Sequence, residues 1–176
     1  MVKQGWAIWI TGLPASGKST IAKKLKEDLR KKGVEVTILE SDELRKILTP
    51  NPTYSEEERD IFYRNIIYMG KLLINKGANI IIDATGHKKT WRETARNEYA
   101  YFLEIYLKCP LDICKKRDPK KIYFLGEIGQ NKHVPGLQEP YEENDVSDLI
   151  INCTDTPEIN VKKIYDKLLE RKFTSA

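Results

Sequence analysis

Along the chain, short apolar runs alternate with longer segments whose apolar residues recur every three or four positions. This is the rhythm of a parallel sheet covered by helices on both faces. Residues 7–11 (AIWIT) predict a first strand. A loop and a helix to about residue 32 follow, with Ile21, Leu25 and Leu29 on one face and Gly33 as the stop. Residues 34–40 read as a second strand ending at Ser41-Asp42. Ser55 and Glu58 form a capping-box pattern for a long helix, striped by Phe62, Ile66, Met69 and Leu73 and closed by Gly77. Ile80 to Ile82 make a buried-type strand ending in Asp83, Thr90 with Glu93 opens another capped helix, and residues 102–108 and 149–153 supply two more strands. Pro157 suits the first turn of a last helix. The expected fold is α/β: a doubly wound, mostly parallel five-stranded sheet, in one domain spanning residues 1–176. Residues 117–140 break the rhythm with Pro119, Gly126, Gly129, Pro135, Gly136 and Pro140, and predict a mobile surface lid.

Composition narrows the class. With 176 residues, 40% hydrophobic and 32% charged, the chain suits a globular protein with a real core. Its longest apolar runs are too short to cross a bilayer, and residues 1–5 lack the apolar segment of a secretion signal, so a cytoplasmic location with no membrane partner is expected. The net charge of +4 is spread along the chain and suits polyanionic small molecules. It accompanies no nucleic-acid-binding motif, so no nucleic-acid partner is expected. Cys109, Cys114 and Cys153 have neither C-x-x-C spacing nor a histidine cluster, and read as reduced thiols.

The chemistry begins after the first strand. Gly12-Leu13-Pro14-Ala15-Ser16-Gly17-Lys18-Ser19 matches G-x-x-x-x-G-K-[ST] in full, between an apolar strand and an amphipathic helix. Such a loop curls its amides around phosphate oxygens, and the helix start adds a positive dipole end. Gly12, Ala15, Ser16, Gly17, Lys18, Ser19 and Thr20 are therefore the ATP-binding candidates. Lys18 would reach the β- and γ-phosphates, and Ser19 would ligate Mg²⁺. Asp42 and Asp83 fall at carboxyl ends of strands, where ligands of such sheets bind. Asp42 is the candidate to accept a proton from a hydroxyl, and Asp83 the candidate to hold the metal, although either could be the base. Arg45 and Arg59 are candidates to bind substrate anions, or else helix-surface charges. Arg117, at the start of the lid, is placed to neutralise charge during transfer. His87 and His133 read as loop residues, and Trp91 and Tyr99 as packing.

Several segments together resemble one family, the adenylylsulfate kinases, over nearly the whole chain. Asp42-Glu43-Leu44-Arg45 sits where that family has D-G-D-x-x-R, and Tyr54-Ser55-Glu56-Glu57-Glu58-Arg59 is similar to its F-S-x-x-D-R. The run FLEIYLKCPLDICKKRDPK (residues 102–120) resembles its strand, Pro-Leu helix and R-D-P-K approach to the lid, and GLQEPYE (136–142) resembles G-I-D-x-P-Y-E. The resemblance implies a P-loop NTPase fold with nucleoside-kinase-like strand order. It also implies γ-phosphoryl transfer from MgATP to the ribose 3′-hydroxyl of a nucleotide-like substrate, and a homodimer. It adds Tyr54, Thr85, Lys132 and Val134 to Asp42, Arg45, Arg59 and Asp83 as substrate-binding positions.

The departures cluster at the acceptor. D-G-D becomes Glu40-Ser41-Asp42, a substrate-binding asparagine becomes Phe62, the strand end I-S-P becomes Asp83-Ala84-Thr85, and two lid bases become Phe124 and Leu125. The phenylalanine that stacks on adenine in the family aligns with Val134. Losing one aromatic partner costs ~1–3 kcal/mol per base, roughly tenfold or more in affinity. Two acceptors stay open: adenylylsulfate, and a non-adenylyl nucleotide such as cytidine diphosphoramidate, the acceptor of relatives in capsule sugar decoration. A switch-type reading lacks an N/T-K-x-D base-reading motif, and a non-catalytic binding protein would suit a degenerate phosphate loop better than this complete one.

Overall fold

In the computed structural model, residues 4–144 and 146–175 are described. The expectation about the chain start falls in part on residues 1–3, outside that range. Strands β1 (Ala7–Thr11), β2 (Val36–Glu40), β3 (Asn79–Asp83), β4 (Phe102–Lys108) and β5 (Leu149–Asn152) form one sheet in the order β2-β3-β1-β4-β5. Every pairing is parallel, so the sheet is wholly rather than mostly parallel. Central β1 is buried along its whole length because each face meets helices. Ile8 and Ile10 pack with Ile21 and Leu25 of α1 (Lys18–Lys31) and with Val161 and Ile164 of α7 (Pro157–Glu170). Ala7 and Trp9 pack on the other face with Phe62 and Ile66 of α3 (Glu56–Asn75) and Trp91 of α4 (Lys89–Glu98). Trp9 stays satisfied through Nε1, which donates to the Ala84 carbonyl at 3.0 Å. Among the described residues no helix is long and apolar enough to cross a membrane.

Beyond β1 the chain turns first to one side of the sheet and later to the other. The crevice at the carboxyl ends of β3, β1 and β4 is therefore the place where loops part and a ligand fits. Helix α2 (Ser41–Leu48) starts directly after β2, where a strand end was expected, and puts Asp42 and Glu43 in its first turn. Its signal was present in Leu44, Ile47 and Leu48, but eight residues give too short a period to stand out. Ser55 caps α3 as expected, accepting from the Glu58 amide at 3.3 Å. Thr90 does not cap α4; the cap position is Lys88, and Thr90 lies inside the first turn. The lid is more ordered than a flap. It follows α5 (Leu111–Arg117) and contains α6 (Ile122–Glu127), whose opening amides donate to Asp118 at 2.7 Å from Ile122 and 2.8 Å from Tyr123.

Two long-range features correct or extend the sequence reading. Cys109 and Cys153 form a disulfide, with Cα atoms 5.2 Å apart, and do not stand as separate thiols. Adjacent β4 and β5 pair Lys108 with Asn152, so the next residue on each strand arrives side by side although 44 residues separate them. Cys114 alone is free, and buried. A fully buried ion pair joins Arg92 to Glu104 at 3.1 Å. Glu104 also accepts from Asn144 at 2.9 Å and Ser147 at 3.0 Å, while Arg92 donates to the carbonyls of Gly86 and Glu142. With both charges satisfied, the pair ties the segment after β3 and residues 142–147 to the sheet; breaking one side would leave an unpaired buried charge.

Candidate active site

The phosphate loop occupies the crevice at β1. Left-handed backbone at Gly12 (φ 145), Ala15 (φ 58) and Gly17 (φ 108) interleaves with ordinary conformations and turns the amides inward, the geometry of an anion nest. At Gly12 a Cβ would stand 2.5 Å from the Leu107 carbonyl oxygen, so only glycine lets the loop lie this close to β4. Helix α1 begins at Lys18, aiming its free amides at the same space. Ser16 Oγ is buried there with no partner, an orphan that a phosphate oxygen would satisfy. Lys18 Nζ folds onto the Leu13 carbonyl at 2.8 Å. Burial holds its pKa below the ordinary lysine value, against the pull of Asp83 and Asp42.

Asp83 is 3% exposed at the end of β3. Burial pushes its carboxyl above the ordinary range, opposed by the Lys18 charge and a hydrogen bond from Ser19. An oxygen pair of one carboxylate and one hydroxyl suits Mg²⁺, which keeps several waters and takes its other oxygens from substrate phosphates. Among the described residues no cluster of three or more His, Cys, Asp or Glu could hold a metal by itself, which is consistent with so sparse a protein contribution. Asp42, on α2, lines the same cleft of about 730 Å³ together with Lys18, Ser19 and Asp83. Its carboxylate is ion-paired to Lys120.

Farther from the loop the cleft is walled by side chains. Tyr54 carries a left-handed backbone (φ 57), unusual for so bulky a residue. Two contacts hold it there: its amide donates to Glu58 at 3.3 Å and its carbonyl accepts from Arg59 Nε at 2.9 Å. Strain kept by surrounding contacts is common at ligand sites. Its ring lies 5.0 Å from the Arg45 guanidinium and 5.6 Å from that of Arg59. Arg45 also stacks on Phe62 at 3.8 Å and pairs with Glu58 at 3.1 Å. Thr85 closes the wall, its carbonyl accepting from Thr11 Oγ1 at 2.6 Å.

The structure brings most of the sequence candidates into this one cleft and moves others. Gly17, Thr20, Arg45, Tyr54, Thr85 and Arg117 line it with the residues above. Arg117 donates to the Ser16 carbonyl at 3.3 Å and to the Cys153 carbonyl at 3.1 Å, beside Asp155 and Pro157, so its charge braces the back of the loop and does not face Asp42. Arg59, 6% exposed, is a hub whose remaining donors reach His87 Nδ1 at 3.0 Å and the His133 carbonyl. Burial, reinforced by the Arg59 charge, lowers the His87 pKa to about 4, so the ring serves Arg59 as a neutral partner and is more than a loop residue. Val134 is fully buried in the core and offers the cleft only aliphatic surface. Lys132 is exposed and is not part of the cleft wall, because Arg59 and the buried Val134 side chain pin the following residues inward and leave Lys132 outside. Glu58, Phe62 and Lys120 gained no site role from sequence reasoning. Glu58 read only as a capping residue and Phe62 only as a departure, and Lys120 was hidden in the R-D-P-K run.

Comparison with known proteins agrees with this geometry. The model of the adenylylsulphate kinase family matches residues 4–152. A probable adenylyl-sulfate kinase of Pyrococcus abyssi is 36% identical over 168 residues, covering 95% of this chain and 97% of the relative. One of Archaeoglobus fulgidus is 37% identical over 147 residues, covering 84% and 95%. The structure of a Mycobacterium tuberculosis APS kinase in complex with AMPPNP and APS superposes with a TM-score of 0.89 at 28% identity, covering 94% of this chain and 98% of that one.

Proposed function

The chain belongs to the adenylylsulfate kinase family of ATP-dependent kinases that phosphorylate a hydroxyl, and from this premise we propose that it transfers the γ-phosphoryl group of MgATP to the ribose 3′-hydroxyl of a nucleotide. One observation carries the reading: a single cleft holds an anion nest with an orphaned Ser16 hydroxyl and, lining the same space, the Asp42 carboxylate. The nest and Lys18 bind the triphosphate. Asp42 orients the acceptor hydroxyl and takes its proton as the 3′-oxygen attacks the γ-phosphorus. The bond to the β-phosphate oxygen breaks, and ADP leaves with the electron pair. Mg²⁺, held by Ser19 and Asp83 when bound, would neutralise charge on the phosphate oxygens.

Adenylylsulfate is the acceptor favoured by the names of the relatives. A second acceptor, cytidine diphosphoramidate or a similar non-adenylyl nucleotide, is favoured by Val134: the family's adenine-stacking position is here aliphatic and wholly buried, leaving Tyr54 as a one-sided platform. Purified protein with MgATP should be offered each acceptor in parallel while ADP release and the 3′-phosphorylated product are followed. Turnover of either establishes the reaction, and the ratio of kcat/KM values names the acceptor. Bound ATP with no phosphorylated nucleotide from any acceptor would end this reading. We further propose a homodimer. Ile61, Tyr68 and Leu72 form an apolar stripe on α3 that is 49–61% exposed, a surface of the kind that associates. Light scattering at micromolar concentration tests it, and a mass of one chain would refute it.

A further inference from the structure

The lid carries a cation with no role in the scheme above. Residues 117–123 are pinned to the phosphate loop at both ends: Arg117 donates to the Ser16 carbonyl at 3.3 Å, and Tyr123 Oη to the Pro14 carbonyl at 3.0 Å. Between them Asp118 folds the turn by accepting from the amides of Ile122, Tyr123 and Phe124. Lys121, in the left-handed region at φ 55, completes it. The turn presents Lys120 to the cleft, where its ammonium pairs with Asp42. Lys120 is also close enough to Lys18 for its charge to oppose protonation there. Among described residues 117–140, Arg117 and Lys120 are the Arg or Lys side chains on the cleft wall, and the Arg117 guanidinium is engaged with two carbonyls.

We propose that Lys120 is a further catalytic residue, the lid cation that contacts the transferring phosphoryl group while Asp42 turns to the acceptor hydroxyl. Without ligand, Lys120 and Asp42 neutralise each other across the mouth of the cleft. A triphosphate in the nest offers Lys120 several negative oxygens, and the exchange frees Asp42 to take the acceptor's proton. Lys120 donates hydrogen bonds and charge only; the proton still passes to Asp42, and the electron pair still leaves with ADP. An exposed ion pair contributes only ~0–1 kcal/mol to stability, so removing Lys120 leaves the fold intact and isolates its part in the reaction.

The inference rests on the kinase reading, and its test is chosen to fail separately from it. Lys120→Gln and Lys120→Arg would be compared with wild type in steady-state turnover, in binding of ADP, and in binding of ADP with aluminium fluoride, a mimic of the phosphoryl group in flight. Lys120→Gln should lower kcat about 10²–10³-fold, the range for losing one preorganised charge donor. It should change ADP affinity by less than about threefold and weaken the fluoride complex at least tenfold, beyond about 1.4 kcal/mol. Lys120→Arg should recover part of both losses, and the melting temperature should hold in each variant. Unchanged kcat, or equal binding of the fluoride complex by wild type and Lys120→Gln, would overturn the proposal. Because the mimic needs no turnover, the Lys120 result stands even where every acceptor is refused.

Discussion

The two halves of the cleft are built differently. The donor half is made of backbone: amides of residues 12–18, one lysine and a helix start, all within a short stretch of chain. The acceptor half is made of side chains from α2, the start of α3, the loop after β3 and the lid, with Tyr54, Arg45, Phe62 and Glu58 in mutual contact and Arg59 joining His87 to His133. A backbone site is insensitive to neighbouring substitutions, because an amide is present whatever the side chain. A side-chain site changes with each residue. Within one family, then, ATP binding can persist while the acceptor changes.

The contrast is sharpest when each half is broken in turn. The largest effect should come from Asp42→Asn, which removes the proton acceptor and should lower kcat about 10²–10⁴-fold with ATP affinity nearly unchanged. A kcat near wild type would transfer the role to Asp83. Lys18→Ala, on the donor side, should cost about 10²–10³-fold for every acceptor alike. If it changed the preference between acceptors, the separation of the two halves would be wrong. Tyr54→Ala should weaken acceptor affinity by ~1–3 kcal/mol, about 5- to 150-fold, leaving the KM for ATP within twofold. Equal loss for ATP and acceptor would mean that Tyr54 supports the whole cleft.

The smallest effect lies in the acceptor half's pH dependence. His87 is held neutral, with its pKa lowered to about 4 from the ordinary 6.5. The unfolded chain therefore binds more protons between those values, so stability should be complete above pH 6.5 and decline as pH falls toward 4. The ceiling on this contribution is about 3 kcal/mol. Thermal melting of wild type and His87→Gln across that range checks it: the variant should lose part of the slope, and identical slopes would remove His87 as the cause.

How much was legible in the sequence follows the same division. Strands β1 and β4 emerged at the expected residues because a strand buried on both faces is written as one unbroken apolar run. The phosphate loop was readable for a related reason, since its glycines, lysine and serine are consecutive and their spacing is the geometry. Arg59 was recognised as a candidate, but nothing in its neighbours told that its donors would meet a histidine 28 positions later and a carbonyl 74 positions later. The cysteines misled for the same reason: spacing along the chain carries no trace of a pairing made by adjacent strands.

By itself, then, the amino-acid order determined the parallel α/β scaffold, the phosphate cradle and the residues able to serve as base and metal ligand. These depend on local periodicity and contiguous motifs, where interacting groups are near in sequence. Folding alone decided that Arg117 braces the loop while Lys120 faces the base, that Val134 turns inward, and that Tyr54 is held between two arginines. The direction of a side chain and the identity of its partner follow from which strands and helices come together, and no short stretch of sequence contains that information.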